Sequence, residues 1–358
     1  MQKVFTHTEP FELESGRQLS QFHLAYTTLG QLNAERDNVV WVFHALTANS
    51  DPSDWWSGLV GAGKLFDPAD YFIVCVNMPG SCYGSISPLD ADPQTGEPYY
   101  HHFPMFTTRD MIRAYQHLRA FMQIQKIKLG LGGSMGGQQL VEWAIEEPEL
   151  FEYILPIATN AQHSPWGIAF NATQRFCIEQ DPTWGFKEVA AGLQGMKTAR
   201  AVALLSYRNY YTYTAAQQGV STLVPATSID KQVFKAETYQ QYQGEKLARR
   251  FNAFSYYFLS KSMDSHDVGR GRISCEQALK KIKAKTLVIG IESDLLFPVS
   301  EQAFLAEHIP GAELAVIDSY YGHDGFLLEF EKISALIKIL FNKPKDVSSR
   351  QAAVVSNP

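Results

Sequence analysis

One short segment, residues 132–137, constrains the fold of this chain more than any other feature. Its sequence is Gly-Gly-Ser-Met-Gly-Gly, and it separates an apolar stretch at 127–131 from a helical pattern that begins near Gln138. A serine at such a strand-to-helix corner has a strained backbone, and its hydroxyl is exposed beside backbone N–H groups and a helix N-terminus. Glycine suits the flanking positions because a Cβ there would crowd the crossing of strand and helix. The pattern G-x-S-x-G therefore predicts that Ser134 is a nucleophile; the alternative is a plain Gly/Ser-rich turn.

Two later apolar stretches each end in a loop that carries a candidate partner for this serine. Residues 285–291 are followed by Asp294, and residues 313–318 are followed by a loop with His323. The carboxyl ends of parallel strands meet at one edge of a sheet, where such sheets bind ligands. A nucleophilic serine at a sharp strand-to-helix turn is called a nucleophile elbow, and in proteins with this elbow the triad follows in the chain order serine, aspartate, histidine. A lone Asp or His is usually a solvated turn residue, but three in this order predict a catalytic triad.

An acyl-transfer serine also needs N–H donors for the negatively charged oxygen of its intermediate. One donor is expected to be the backbone N–H of Met135, and the other comes from the loop after an early strand. That strand is predicted at 39–43, and His-Ala-Leu-Thr follows it at 44–47. The backbone N–H of Leu46 is therefore the second candidate for the oxyanion hole.

The apolar stretches predict a mostly parallel, doubly wound sheet. Those at 39–46, 71–77, 127–131 and 153–157 alternate with helical patterns, and uninterrupted apolar runs are typical of strands covered on both faces. Strand-like runs stop over about 162–271, where polar and aromatic residues mix at helical spacing, as at 249–258. The predicted organisation has four parts: a core at 1–160, an inserted helical lid at 161–271, the rest of the core at 272–342, and a frayed polar tail at 343–358.

Composition excludes several classes of function. A chain of 358 residues with 45% hydrophobic and 19% charged residues can bury a large core, and its net charge of −6 argues against nucleic-acid or membrane partners. The four cysteines form no C-x-x-C pair, which favours free thiols in a reducing compartment. No apolar run approaches the ~20 residues of a membrane span, and the start lacks a long apolar segment. We therefore expect a cytoplasmic protein.

Two other patterns resemble ligand sites and are better explained as loops. Residues 58–64 match the first part of a phosphate-binding loop, but Leu65 occupies the place of the Mg²⁺-binding Ser or Thr, and no strand precedes the segment. His101 and His102 lie near Asp90 and Asp92 in the sequence, at a spacing that fits no common zinc motif. We expect a surface turn and a polar loop, and we expect no metal and no permanently bound cofactor.

A set of short blocks is more specific than the elbow. They are HALT at 44–47, DWWSGLVGAGK at 54–64, CYGS at 82–85, GSMGG at 133–137 with EW at 142–143, DPTW at 181–184, AR at 199–200, SYR at 206–208, RFNAF at 250–254, MDSHDVGRGR at 263–272 and GHDGFL at 322–327. In this combination the chain resembles the homoserine O-acetyltransferases of the α/β-hydrolase superfamily over nearly its full length. A general esterase would share the elbow but not the blocks in the lid. Ala-Asn-Ser at 48–50 departs from the commoner form of the family, in which glycine follows.

The resemblance implies an α/β-hydrolase fold and a function. Such enzymes transfer an acetyl group from acetyl-CoA, as substrate, to the side-chain hydroxyl of L-homoserine by a ping-pong mechanism, in methionine biosynthesis. The resemblance further implies that Arg200, with Tyr207 two helical turns away, binds the homoserine carboxylate and that Asp324 binds its ammonium group. It also implies a homodimer formed through lid helices. From the residues alone, the first interpretation of Arg200 is an ordinary lid arginine, and Asp324 is explained equally well as a turn residue before Gly325 and as a ligand.

Several alternatives stay open at the level of the sequence. Serine differs from homoserine by one methylene, so discrimination between these acceptors amounts to only ~1–3 kcal/mol. A succinyl donor needs a partner for its extra carboxylate, and the sequence assigns none. An esterase would use the same triad with water as acceptor. A non-catalytic binding protein of this fold commonly lacks a triad member, whereas this chain has all three.

Overall fold

A nine-stranded sheet forms the centre of the computed structural model, which describes residues 1–223, 228–342 and the backbone of 353–355. In chain order its strands are β1 (Gln2–His7), β4 (Phe22–Leu29), β5 (Val39–Phe43), β6 (Phe72–Val76), β7 (Ile127–Gly133), β8 (Phe151–Ile157), β9 (Lys285–Ile291), β10 (Glu313–Ile317) and β11 (Ala353–Val355). The spatial order is β1-β4-β6-β5-β7-β8-β9-β10-β11. β2 (Phe11–Glu12) and β3 (Gln18–Leu19) form a separate antiparallel hairpin.

The sheet is parallel from β6 to β11, which confirms the prediction of a mostly parallel sheet. The sequence analysis did not predict β1 and β4, which add two antiparallel pairings at one edge, β1 with β4 and β4 with β6. The segment 343–358, predicted to be frayed, lies outside the described residues except for the backbone of β11.

β5 shows why the apolar stretches form strands covered on both faces. Successive side chains of a strand point to opposite faces. Val39, Trp41 and Phe43 accordingly pack in one hydrophobic core, whereas Val40 and Val42 pack in a second one on the other face. All five residues are buried, so polar residues have no place in such a strand.

Helices cover both faces of the sheet. The first core includes residues of α2 (Thr108–Phe121), α3 (Met135–Glu146), α9 (Cys275–Leu279) and α10 (Val299–His308). The second includes residues of α11 (Gly325–Leu328) and α12 (Phe330–Asn342), and Trp55 of α1 (Pro52–Trp55) packs against it. α3 begins at Met135 and not near Gln138, because the glycines at 136 and 137 form its first turn and hide the helical pattern.

Within the described part of the predicted lid, 161–223 and 228–271, there are five α-helices. They are α4 (Pro165–Glu179), α5 (Leu193–Tyr207), α6 (Tyr210–Gln217), α7 (Lys235–Ala248) and α8 (Ala253–Asp264). The helical spacing inferred for 249–258 is wrong at its start, because α7 ends at Ala248 and Asn252 caps α8 by accepting a hydrogen bond from the Ser255 N–H. The domain limits at 160 and 271 stay a prediction.

The topology brings four predicted site segments to one edge of the sheet. β5, β7, β8, β9 and β10 are parallel neighbours in this order, so the loops after their carboxyl ends open on the same side. Within the described ranges, no helix combines the length and the apolar character needed to cross a membrane.

Candidate active site

Ser134 lies at a strained corner between β7 and α3. Its backbone angles are φ 56° and ψ −128°, a left-handed region that non-glycine residues rarely adopt. The surroundings leave no room for side chains: a Cβ on Gly132 would lie 2.6 Å from the Gly136 carbonyl carbon, and a Cβ on Gly136 would lie 2.2 Å from the Phe43 carbonyl oxygen. The glycines therefore permit the close crossing that the sequence predicted.

Thr159, in the loop after β8, supports this corner from behind. Its hydroxyl donates a 2.8 Å hydrogen bond to the carbonyl oxygen of Ser134. The side-chain amide of Gln302 in turn donates to the Thr159 carbonyl oxygen at 2.7 Å. Sequence reasoning gave neither residue a role, since nothing in their spacing relates them to the elbow.

Asp294 and His323 form a buried pair in the loops after β9 and β10. The His323 Nδ1 lies 2.6 Å from Asp294 Oδ2, and each residue is 4% exposed. The other carboxylate oxygen, Oδ1, accepts hydrogen bonds from the backbone N–H groups of Leu296 and Phe297 at 2.8 and 2.9 Å. These contacts fix the carboxylate, which assigns the Nδ1 proton to this hydrogen bond and leaves Nε2 free for another partner.

Phe326 relates the imidazole to the elbow. Its ring centroid lies 5.2 Å from that of His323. The same ring packs against the elbow, because a Cβ on Gly133 would lie 2.2 Å from Phe326 Cδ2. Phe297 stacks on the imidazole at 5.1 Å. The structure thus brings the loops of Ser134, Asp294 and His323 to one buried place; their catalytic roles stay a prediction.

The two predicted oxyanion donors flank the close contact between β5 and α3. Met135 is the first residue of α3, and Leu46 lies three residues after β5. In the described part of the chain, neither N–H donates to another backbone group. Both N–H groups are therefore available to a ligand, as an oxyanion hole requires.

His44 fixes the start of the loop that carries Leu46. Its Nδ1 lies 2.9 Å from the Ala45 carbonyl oxygen, and its Nε2 accepts a hydrogen bond from the Met78 N–H at 3.0 Å. The acceptor role of Nε2 places the proton on Nδ1. Burial lowers the pKa of His44 to about 4, so the ring is neutral near pH 7.

Arg200 and Tyr207 extend the site onto α5. The guanidinium carbon of Arg200 lies 5.3 Å from the centroid of the Tyr207 ring, and that centroid lies 5.7 Å from the His323 ring. Burial raises the pKa of the Tyr207 hydroxyl, against the opposing effects of the Arg200 charge and a hydrogen bond with Tyr256. Within residues 1–223 and 228–342, Arg200 has no carboxylate partner.

Asp324, the residue predicted to bind the substrate ammonium group, already forms an ion pair within the protein. Its Oδ2 pairs with Nη1 of Arg208, the residue directly after α5. Sequence reasoning missed this contact. Arg208 belongs to the SYR block, but its partner is remote in the chain, and nothing in the spacing relates the two.

A half-buried carboxyl lies near the triad aspartate. Glu301, in the first turn of α10, accepts a 2.9 Å hydrogen bond from the Asn160 side-chain amide. Burial raises the pKa of Glu301 to about 7, and the nearby charge of Asp294 adds to this effect. Gln138 of α3 donates to the same Asn160 side chain at 2.9 Å, which ties the elbow helix to this network.

The two other patterns differ in structure: residues 58–64 form a turn region, as predicted, whereas His101 and His102 belong to a short 3₁₀-helix, Tyr100–His102, and not to a polar loop. Residues 58–64 follow the helix α1 and not a strand, and Gly61 and Gly63 have positive φ in a turn before β6. His101 packs edge-on against the rings of Trp184 and Phe254. Among the described residues, no group of three or more His, Cys, Asp or Glu side chains could hold a metal ion.

Comparisons with known proteins show the fold and the relatives of the chain. A sequence model of the alpha/beta hydrolase fold matches residues 38–330. The homoserine O-acetyltransferase of Cyclobacterium marinum is 47% identical over 340 residues, which cover 95% of each chain. The crystal structure of homoserine O-acetyltransferase from Bacillus anthracis is similar with a TM-score of 0.87 and 24% identity, over 98% of this chain and 99% of that one. The crystal structure of esterase E22 has a TM-score of 0.85 and 21% identity, over 96% and 100%; at such identities these two structures show the shared fold alone.

Proposed function

The chain belongs to the homoserine O-acetyltransferases of the α/β-hydrolase fold, an enzyme family, and on this premise we propose that it transfers the acetyl group of acetyl-CoA to the hydroxyl of L-homoserine through an acetyl-serine intermediate. One observation carries the proposal. A fixed Asp294–His323 pair lies beside a strained serine elbow, and the Tyr207 ring contacts both the His323 imidazole and the guanidinium of Arg200, which has no carboxylate partner among the described residues. A hydrolase needs only the first part of this arrangement.

The first half of the reaction uses the residues in the loops at the edge of the sheet, Leu46, Ser134, Met135, Asp294 and His323, which we call the sheet side of the site. His323 Nε2 takes the proton of Ser134 as Oγ attacks the thioester carbonyl carbon. The N–H groups of Leu46 and Met135 stabilise the negative oxygen of the tetrahedral intermediate. The C–S bond then breaks, His323 protonates the departing sulfur, and free coenzyme A leaves an acetyl ester on Ser134.

The second half of the reaction also uses the lid side of the site, by which we mean Arg200 and Tyr207 of α5 together with Arg208 and its partner Asp324. L-Homoserine is a zwitterion, so its binding needs one cationic and one anionic group. Arg200, with Tyr207, binds the carboxylate, and Asp324 binds the ammonium group. The homoserine hydroxyl gives its proton to His323 and attacks the acetyl carbon. When the Ser134–acetyl bond breaks, the proton returns to Ser134 Oγ and O-acetylhomoserine is released.

The decisive experiment separates transfer from hydrolysis. Thiol release from acetyl-CoA is measured with and without L-homoserine, and the products are identified by mass spectrometry. We expect thiol release in excess of enzyme to depend on homoserine and to match the O-acetylhomoserine formed. Release at the same rate without homoserine, with acetate as product, would establish an esterase instead. Succinyl-CoA and L-serine, tested in the same assay, give the donor and acceptor preferences.

Two further features of the proposal concern assembly and location. Large apolar side chains are exposed on the lid helices, among them Trp166, Phe176 and Leu205. They support a homodimer formed through the lid, and Leu205→Lys should then lower the mass measured by light scattering to that of one chain. The four free cysteines support a cytoplasmic location.

A further inference from the structure

The end of α5 and the loop that carries His323 are joined by several contacts. We call residues 207–212 and 320–324 together the lid–histidine junction. A Cβ on Gly322 would lie 2.8 Å from the Tyr207 carbonyl oxygen, so the two backbones touch. The Thr212 hydroxyl donates to the Tyr320 carbonyl oxygen at 2.8 Å. The ion pair between Arg208 and Asp324 lies in the middle of this junction.

Arg208 is held on both sides. Its Nη1 pairs with Asp324, and its Nε lies 3.3 Å from the hydroxyl oxygen of Tyr239 on α7. Its backbone N–H is also bonded, to the Leu204 carbonyl oxygen at the end of α5. The side chains of Arg208 and Asp324 are 25% and 18% exposed, so water screens the pair only in part. A guanidinium fixed in this way cannot easily leave when a ligand arrives.

The pair uses only one oxygen of the Asp324 carboxylate. Arg208 contacts Oδ2, and no other ion pair among residues 1–223 and 228–342 involves Asp324. A carboxylate can accept about four hydrogen bonds through its two oxygens, so Oδ1 remains available to a second cation. Because Arg208 is anchored by Tyr239, it also fixes the rotation of the carboxylate about its own bond.

We propose that Arg208 is a positioning residue that orients the Asp324 carboxylate toward the ammonium group of the acceptor and thereby makes the site specific for amino acids. This inference rests on the proposed function. Arg208 does not contact the reacting atoms. It acts through Asp324, whereas Arg200 of α5 has no carboxylate partner among the described residues and is left for the substrate carboxylate.

The experiment compares two acceptors that differ only in the amino group: L-homoserine and 4-hydroxybutanoate. Arg208→Met should raise the KM for homoserine about 10-fold or more, the range expected when a charged hydrogen-bonding partner loses its orientation. The substitution should weaken the reaction of homoserine with the acetyl-enzyme. It should leave the rate of acetyl-enzyme formation from acetyl-CoA, measured in single turnover, unchanged. With 4-hydroxybutanoate, which has no ammonium group, the kcat/KM of variant and wild type should agree within about 3-fold. Arg208→Lys should recover part of the homoserine KM.

Arg175→Met is the matched control. Arg175 lies on α4 and pairs with Asp264 at 2.6 Å, with side chains 13% and 15% exposed. The control therefore removes a lid ion pair of similar burial at another place. It should lower the melting temperature by a similar amount without changing the preference for homoserine over 4-hydroxybutanoate.

The possible outcomes separate the two claims. An equal loss of kcat/KM with both acceptors, or an unchanged or lower homoserine KM in Arg208→Met, overturns the inference alone; a lower KM would mean that Arg208 competes with the ammonium group. If the wild type shows no homoserine-dependent thiol release, the proposed function fails, and the inference fails with it. If Arg208→Met does not fold, Arg208→Lys and Arg208→Gln decide by the same ratio of acceptors.

Discussion

The sheet side of the site and its lid side hold their functional groups by different means. On the sheet side, the backbone conformation fixes the position of the nucleophile. Ser134 has a left-handed φ of 56°, and Gly136 lies against the carbonyl oxygen of Phe43 with no room for a Cβ. On the lid side, contacts between side chains fix the positions of the charged groups. Arg200 is held over an aromatic ring at 5.3 Å, and Arg208 is held by an ion pair and a tyrosine hydroxyl.

This difference determines what each side can control. A nucleophile fixed by the backbone has a geometry that small changes elsewhere do not alter, which suits a step common to all enzymes with this elbow. Side chains on helices can be exchanged without moving the backbone, which suits a choice among acceptors. We therefore expect substitutions on the sheet side to abolish chemistry or folding, and substitutions on the lid side to change acceptor affinity.

The largest effect is expected for Ser134→Ala. Without the hydroxyl no acetyl-enzyme forms, so kcat should fall by about 10⁴-fold or more. The measurement is thiol release from acetyl-CoA, together with intact-protein mass spectrometry, which should show no added acetyl group. An unchanged melting temperature is the control for folding. Turnover near the wild-type rate would show that Ser134 is not the nucleophile and that the sheet side does not carry out the acetyl transfer.

The same substitution made on each side tests the comparison directly. In Gly136→Ala the new Cβ would meet the Phe43 carbonyl oxygen at 2.2 Å, so β5 or α3 must move. We expect a loss of about 2–4 kcal/mol in unfolding free energy and a lower kcat. Gly185→Ala in the lid is the matched control, since nothing lies within 4 Å of its Cβ position, and it should change stability by less than about 0.5 kcal/mol. Equal effects in urea denaturation would contradict the contrast.

The sheet side was also the more predictable from the sequence, for a physical reason. Its signals are local: the bounds of β9 were predicted at 285–291, as observed, and Asp294 and His323 follow buried strands. The glycine pattern around Ser134 records a close crossing that the backbone requires. Local patterns of this kind do not depend on which remote segment lies opposite.

The remaining features depend on partners far away in the chain. β1 and β4 were missed because they become strands through antiparallel pairing at an edge, and not through uninterrupted apolar runs. The contact of Arg208 with Asp324, and that of Thr159 with Ser134, appear only when the loops meet in space. Without the family resemblance, Arg200 would also have remained an ordinary lid arginine.

On the lid side, Arg200→Met should produce a smaller and more selective effect. Loss of the guanidinium leaves the homoserine carboxylate without its charged partner, which raises the KM for homoserine by about 10- to 100-fold. Acetyl-enzyme formation, measured as the burst of thiol release, should change far less. The exposed Arg249 provides the control, because Arg249→Met removes a lid arginine without affecting the site. A burst reduced as strongly as the homoserine step would place Arg200 in the chemistry of the sheet side.

The smallest effect is expected from the carboxyl near the triad aspartate. Because burial raises the pKa of Glu301 from 4.5 to about 7, the folded protein binds this proton more tightly than the unfolded chain does. The stability that the protonated carboxyl contributes is fully present below about pH 4.5 and is lost as the pH rises through about 7. Glu301→Gln keeps an oxygen for the Asn160 amide and cannot ionise.

Glu301→Gln should therefore match the wild type near pH 5 and exceed its unfolding free energy by about 1–2 kcal/mol near pH 8. Urea denaturation at both pH values measures this difference, and Glu307→Gln, at an exposed position of the same helix, is the control. A stability difference that is the same at both pH values would mean that Glu301 does not ionise in this range. Since the backbone and the hydrogen bond to Asn160 are retained, kcat should change little, because Glu301 does not contact the reacting atoms.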